Sequence, residues 1–297
     1  NTASVNLMMF NKLLRKYTES VKQKHPGISV STLGQWTWGW WNDLTGNSSV
    51  PKTINEDDDT VDDWVTIQDR ALKEGDALRE KLNWKHLILD EGQDFAQEMY
   101  EFLVTLQEWW GEEHLTITVF ADNNQAITRT NSPTRIIAQQ LGFESDCPER
   151  EERVFALTKN YRNTCQIHAL ATHFKLEDDE TGQTKPPTTT GDLPVLVPCN
   201  NLEEVCSRIQ KITGVQPGKE FAIIIPDSKK MVDEYHDKMF FLFDGKVQKY
   251  YNTDDLANGT AWKDGDNWLE SMSFGIGSSL TVINHASCKG LEFDVVF

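Results

Sequence analysis

Basic charge is scarce in this chain: 29 Lys plus Arg stand against 46 Asp plus Glu, a formal charge of −17. A protein held to nucleic acid or an anionic membrane by bulk attraction needs the opposite balance. Any contact with phosphate must then come from a local groove. Cysteine is sparse as well. Cys147, Cys165, Cys199, Cys206 and Cys288 are odd in number and form no CxxC pair. That excludes a ready disulfide framework or zinc ribbon and points to a reducing compartment. His168 and His173 are five apart, which misses the four-residue helical spacing that would aim both at one metal. No run of 18 apolar residues is present for a membrane span, and no signal-peptide pattern opens the chain. The expected location is the cytoplasm, with no membrane partner. There is no repeat of short period.

What is present is ordinary globular material. Hydrophobic residues at 38% and charged residues at 25% exclude disorder throughout. A length of 297 residues suits two domains, which can bury roughly 75% of the surface the unfolded chain exposes. The chain opens on Asn1 and stops at Phe297 inside an apolar run, so the expectation is a piece of a longer polypeptide.

Val5 to Phe10 is a short apolar run, and a helical pattern through Leu13, Leu14 and Tyr17 follows it. Pro26-Gly27 breaks that helix, and Ile28 to Leu33 returns to strand. Residues 36 to 41 read WTWGWW; these indoles suit either stacking on bases or packing against the sheet. Ten acids and three bases between Glu56 and Glu80 mark a solvated, partly helical insertion, placed at about residues 43–81. His86 to Leu89 and Thr116 to Ala121 are buried-strand runs ending in Asp90 and Asp122, with an amphipathic helix over Met99 to Trp109 between them. From Arg153 the pattern restarts. Phe155 to Leu157, Leu193 to Val197, Phe221 to Ile225 and Leu280 to Ile283 read as strands. Helices fall through Ile167 and Leu170, at Leu202 to Ile212 and at Lys229 to Phe240. Asp178 to Asp192 reads as a surface loop. Strands alternating with helices, with acids at strand ends, predict an α/β fold built on parallel sheets. The expected domains are 1–150 and 151–297.

In such sheets ligand chemistry sits beyond the carboxyl ends of the strands. Leu87-Ile-Leu-Asp90-Glu91-Gly92-Gln93-Asp94 delivers two adjacent carboxylates there. Metal-assisted hydrolysis of a nucleoside triphosphate needs such a pair. One carboxylate holds Mg²⁺ directly or through water; the other orients and deprotonates the attacking water. The bland alternative is an acidic loop. Gln125, in Phe120-Ala-Asp122-Asn-Asn-Gln125, is placed to sense a γ-phosphate or its attacking water, with Asp122 in the metal's outer shell; an Asx turn is the alternative. Arg162, in Asn160-Tyr161-Arg162-Asn-Thr164, either stabilises charge on a transferring phosphoryl group or pairs with a surplus carboxylate. Ser287-Cys-Lys289-Gly290 makes a turn whose donors can face phosphate, and Glu292 can accept from a ribose hydroxyl.

Taken in order, DEGQD, ADNNQAI, LTKNYRNT and SCKGLEFDVVF resemble motifs II, III, IV and V of the UvrD/Rep-like superfamily 1 helicases. Phe10-Asn11-Lys12 resembles motif Ia, and Val30-Ser-Thr32 resembles the motif that follows it. The resemblance covers most of the chain. It implies two RecA-like domains that clamp ATP and move along single-stranded DNA, or RNA, with 3′→5′ polarity on DNA. By the same resemblance Asp90 ligates Mg²⁺, Glu91 is the catalytic base, Gln125 is the γ-phosphate sensor and Arg162 is the arginine finger. Glu292 contacts the ribose, and Gly290 permits close backbone approach. Phe10, Thr32 and His285 fall at positions that touch the strand or couple it to ATP. Protein partners in a repair or defence complex are a further implication.

Four features depart from the family pattern. No GxxxxGKS/T phosphate loop occurs in the chain, and Cys288-Lys289-Gly290 does not replace one. The last arginine motif is also absent. His285 lies one residue farther from Lys289-Gly290 than is usual, and Thr128-Arg129 stand where the family has an aromatic-rich stretch. Both domains are therefore expected to be incomplete at their outer ends. The complete parent is expected to be an ATP-hydrolysing helicase, and the isolated chain inactive. The alternative is a degenerate helicase core serving as a nucleic-acid or protein scaffold.

Overall fold

The computed structural model describes residues 5–55, 60–82, 85–111, 115–126, 132–144, 146–175, 185–226, 229–250, 269, 272–274, 277 and 279–297. In chain order the elements are β1 (Val5–Met9), α1 (Lys12–Lys24), β2 (Ile28–Thr32), α2 (Leu33–Thr45), β3 (Lys52–Ile54) and β4 (Thr60–Asp62). Next come α3 (Trp64–Glu74), α4 (Asp76–Lys81), β5 (His86–Leu89), α5 (Gln97–Trp110), β6 (Thr116–Val119), α6 (Thr134–Gln140), α7 (Arg150–Arg153) and α8 (Cys165–Thr172). The last are α9 (Leu202–Gly214), β7 (Phe221–Ile225), α10 (Lys229–Leu242), β8 (Val247–Tyr250), β9 (Leu280–Asn284) and β10 (Val295–Val296). Among the described residues, none of these helices is long and apolar enough to cross a membrane.

The fold is mixed α/β with parallel sheets. One sheet has the order β2-β1-β5-β6 and another β10-β7-β9-β8, with every pairing in both parallel. Parallel sheets are buried on both faces, which is why the inner strands read as continuous apolar runs. Leu87 and Leu89 of β5 and Val282 and Ile283 of β9 are fully buried. The short β3–β4 pair is an antiparallel ribbon apart from both sheets.

Contacts along the backbone divide the chain into two compact units. One comprises Asn1–Phe10 with Val21–Leu196, the other Asn11–Ser20 with Val197–Phe297. The sequence places the change near residue 150, whereas residues 151–196 group with the first unit. Two expected strands are missing in that stretch. Phe155 to Leu157 and Leu193 to Val197 carry no regular strand. Their apolar side chains are exposed, Leu196 at 97%. Pro194 has no N–H to give a ladder, which weakens the second run as a strand.

The core of the first unit is aromatic. Thr32 caps α2 through a capping box: its hydroxyl accepts from Gln35 N–H at 3.3 Å, and its own N–H donates to Gln35 Oε1 at 3.2 Å. With the helix start pinned, Trp36, Trp40 and Trp41 fall on the inward face, and Trp40 stacks on Phe102 of α5 at 6.0 Å. Trp38 points outward, 49% exposed, and its indole N–H donates to Ser48 O at 3.0 Å. The cluster is thus core packing with one indole at the surface. The acidic insertion is less solvated than its charge suggests. Helix α3 buries Trp64, Ile67 and Ala71 against the same core, while residues 56–59 lie outside the described residues.

Candidate active site

Strands β5 and β6 run parallel from His86↔Thr116 to Leu89↔Val119. Their carboxyl ends therefore release Asp90 and the Phe120–Asp122 segment side by side. The Asp90 N–H donates to Met8 O of β1 at 3.0 Å, and its Oδ1 accepts from Glu91 N–H at 3.1 Å. Glu91 then takes left-handed backbone angles, φ 57° and ψ 43°. Such a conformation costs a non-glycine residue about 1–2 kcal/mol. Backbone outliers of this kind concentrate where function requires a fixed direction.

The turn that follows is clamped from two sides. Gly92 N–H donates to Phe120 O at 2.8 Å, and Gly92 O accepts from the Tyr100 hydroxyl at 2.6 Å. Gln93 is 1% exposed, and both ends of its amide are engaged. Its Nε2 donates to Glu91 Oε2 at 2.7 Å, and its Oε1 accepts from Asp122 N–H at 3.0 Å. Asp122 in turn accepts from Asn124 N–H at 3.0 Å and from Gln125 Nε2 at 2.7 Å. The buried Ser132 braces this stretch, its N–H donating to Gln93 O at 2.9 Å and its hydroxyl to Phe95 O at 2.8 Å. Glu91, Gln93, Asp122 and Gln125 thus form one hydrogen-bonded chain at the ends of two neighbouring strands. The Asx turn weighed for Asp122 is present, and it positions Gln125 as well.

Burial, and then the neighbouring Asp94 charge, push the Tyr100 hydroxyl far above the usual phenol range. The unfolded chain gives up this proton near pH 10 and the folded chain keeps it. The contribution to stability is complete below that pH and is lost as pH rises beyond it. Tyr100→Phe is expected to flatten the alkaline loss by about 1.4 kcal/mol per pH unit. At pH 7 the same variant loses roughly 1–2 kcal/mol through the bond to Gly92 O. Urea unfolding at pH 7 and pH 11 reads both effects. An unchanged alkaline slope would show that Tyr100 ionises in the folded protein.

Among the described residues, no group of three or more His, Cys, Asp or Glu side chains is arranged to hold a metal ion. Mg²⁺ asks for less than that. It keeps several waters and is bound through one or two carboxylates plus substrate phosphates. Half-buried Asp90 at the strand end, with Asp122 at the end of the next strand, fits that donor set.

The other expected site residues sit as follows. Arg162 is exposed on a turn shaped by Asn160, whose Oδ1 accepts from the N–H groups of Arg162 and Asn163 at 3.0 and 3.1 Å. Phe10 is partly buried, its ring 6.2 Å from that of Phe95. Thr32 is buried as the α2 cap, so its hydroxyl already serves the fold. In the second unit His285 and Glu292 are exposed, and the His285 N–H donates to Ile225 O at 2.9 Å. Gly290 has φ 80°, and a Cβ there would lie 2.8 Å from Leu14 Cδ2. Sequence reasoning assigned no role to Gln93, Tyr100 or Ser132. The only available signal was the placement of Gln93 two residues after Glu91, in the turn.

No family model matches the chain, and no curated protein matches it. Among solved structures it is similar to the Escherichia coli DEAH/RHA helicase HrpB, at 11% identity and a TM-score of 0.37. That alignment covers 95% of this chain and 28% of the helicase, so the chain spans little more than a quarter of the length of the structure it matches.

Proposed function

We propose that this chain is the central part of an ATP-dependent superfamily 1 helicase or translocase. It acts on single-stranded DNA in the cytoplasm, with 3′→5′ polarity, and its two units are RecA-like. The observation that carries the reading is the chain Glu91–Gln93–Asp122–Gln125, which ties a strand-end carboxylate to a glutamine on the next strand's loop. Hydrolysis by an attacking water needs both: a group that takes the proton and a group that senses the γ-phosphate. Glu91 orients the water and accepts its proton. Gln125 responds to the γ-phosphate. Arg162 stabilises charge on the transferring group. Asp90 is the Mg²⁺ ligand, and the ion supplies charge neutralisation at the phosphate oxygens when bound. Glu292 takes the ribose, Gly290 allows close backbone approach, and Phe10, Thr32 and His285 serve the strand.

The product of the complete gene, assayed with Mg-ATP, is expected to turn over ATP faster when single-stranded DNA is added. Arg162→Ala is expected to slow that turnover by about 10³. A rate near that of the unsubstituted protein would reduce Arg162 to an ion-pair residue. Unless the parent chain supplies it, the lack of GxxxxGKS/T in these 297 residues favours a second reading, a scaffold without ATPase activity. Binding of single-stranded DNA with no turnover, unaffected by Mg-ATP, would establish that reading instead.

A further inference from the structure

We propose that Gln93 is a positioning residue that couples the Glu91 carboxylate to the Asp122–Gln125 turn, so that the two loops move as one body. The functional meaning of this coupling rests on the hydrolytic reading above; its existence does not. The argument begins with what the two neighbours require. Glu91 offers a carboxylate and needs a donor, while the Asp122 N–H needs an acceptor. Gln93 supplies Nε2 to the first at 2.7 Å and Oε1 to the second at 3.0 Å, from a side chain 1% exposed to water. The amide orientation is thereby decided by chemistry, because the flipped amide would face donor to donor at Asp122 and acceptor to acceptor at Glu91.

No other common side chain of this reach meets both demands. Glutamate presents acceptors on both sides and opposes Glu91. Leucine fills the space but gives the Asp122 N–H no acceptor. Asparagine is shorter by one methylene. The coupling also extends beyond the pair. Asp122 passes it to Gln125 through a 2.7 Å bond, and Ser132 fixes the Gln93 backbone carbonyl at 2.9 Å. Glu91 holds φ 57° at one end of this chain of bonds, and the Gln93 amide opposes relaxation of its side chain toward solvent.

Amide hydrogen exchange on the 297-residue chain, together with urea unfolding at neutral pH, tests the proposal. Gln93→Leu is expected to raise exchange at the Asp122 amide at least about tenfold over the unsubstituted chain. Leu87 and Leu89 of β5 should be unaffected. Gln93→Glu is expected to destabilise the fold. The double variant Glu91→Gln/Gln93→Glu exchanges donor and acceptor and rebuilds both bonds. Its folding equilibrium constant is expected to exceed the product of the single effects by about tenfold. Side-chain packing alone would leave the two substitutions independent. Unchanged Asp122 exchange in Gln93→Leu, or simple additivity in the swap, overturns the proposal. If Gln93→Leu does not fold, the swap pair decides. None of these readouts uses ATP, so a chain without ATPase activity would sink the hydrolytic reading and leave this one intact.

Discussion

Gly92→Ala is expected to destabilise the first unit by about 2–3 kcal/mol. A Cβ at this position would lie 2.3 Å from Val119 Cγ1, 2.8 Å from the Tyr100 hydroxyl and 3.3 Å from Phe120 O. None of these can yield cheaply. Val119 is β-branched and belongs to β6, Phe120 O is backbone, and Tyr100 is fully buried with its hydroxyl on Gly92 O. Relief requires moving β6 away from the turn, which breaks the 2.8 Å bond from Gly92 N–H to Phe120 O. A loss of this size lowers the melting temperature by roughly 2–4 °C per kcal/mol for a unit of this length. Gly39→Ala is the control. It lies within α2, a Cβ there meets nothing within 4 Å, and alanine is the better helix former by about 0.5–1 kcal/mol. Equal melting temperatures for the two variants would refute the steric account.

Glu91→Gln is expected to reduce ATP turnover of the complete gene product by about 10²–10⁴ while leaving nucleotide binding in place. The substitution preserves the network geometrically. A glutamine oxygen at position 91 still accepts from Gln93 Nε2, now 2.7 Å from Glu91 Oε2. What it removes is the capacity to take a proton from water. Glu91→Gly is the informative partner. Glycine tolerates φ 57° without the strain of a Cβ, so relief of backbone strain worth about 1 kcal/mol offsets part of the lost bond to the buried Gln93 amide, worth about 1.5–3 kcal/mol. Turnover should vanish in this variant too, with only a modest loss of thermal stability. Full turnover in either variant would rule out the proposal that Glu91 is the base.

Much of the fold was legible in local pattern, and the reason is that local pattern is what makes it. β1, β5, β7 and β9 read as largely apolar runs because they lie inside parallel sheets covered on both faces. The helices between them carry the 3.6-residue period of one buried stripe. Asp90 and Glu91 were legible for a related reason, since the end of a buried strand is where polar residues first become tolerable. Short strands were harder to read. β8 spans four residues and β10 two, too few for a period to show. Phe155–Leu157 and Leu193–Val197 have strand-like composition, yet composition carries no information about whether a neighbouring strand is there to pair with.

By itself, the sequence determined the alternation of strands and helices, the carboxylate pair at the end of β5 and the glutamine after β6. Only the tertiary structure decided which side chains those groups hold. Gln93 meets Asp122 across 29 positions of chain, and Gly92 is confined by Val119 and Tyr100. Trp40 meets Phe102 on a different helix, and residues 151–196 group with the first unit. Periodicity reports the environment averaged over one face of one element. A hydrogen bond or a steric limit between distant residues depends on the arrangement of two elements in space, which periodicity does not encode.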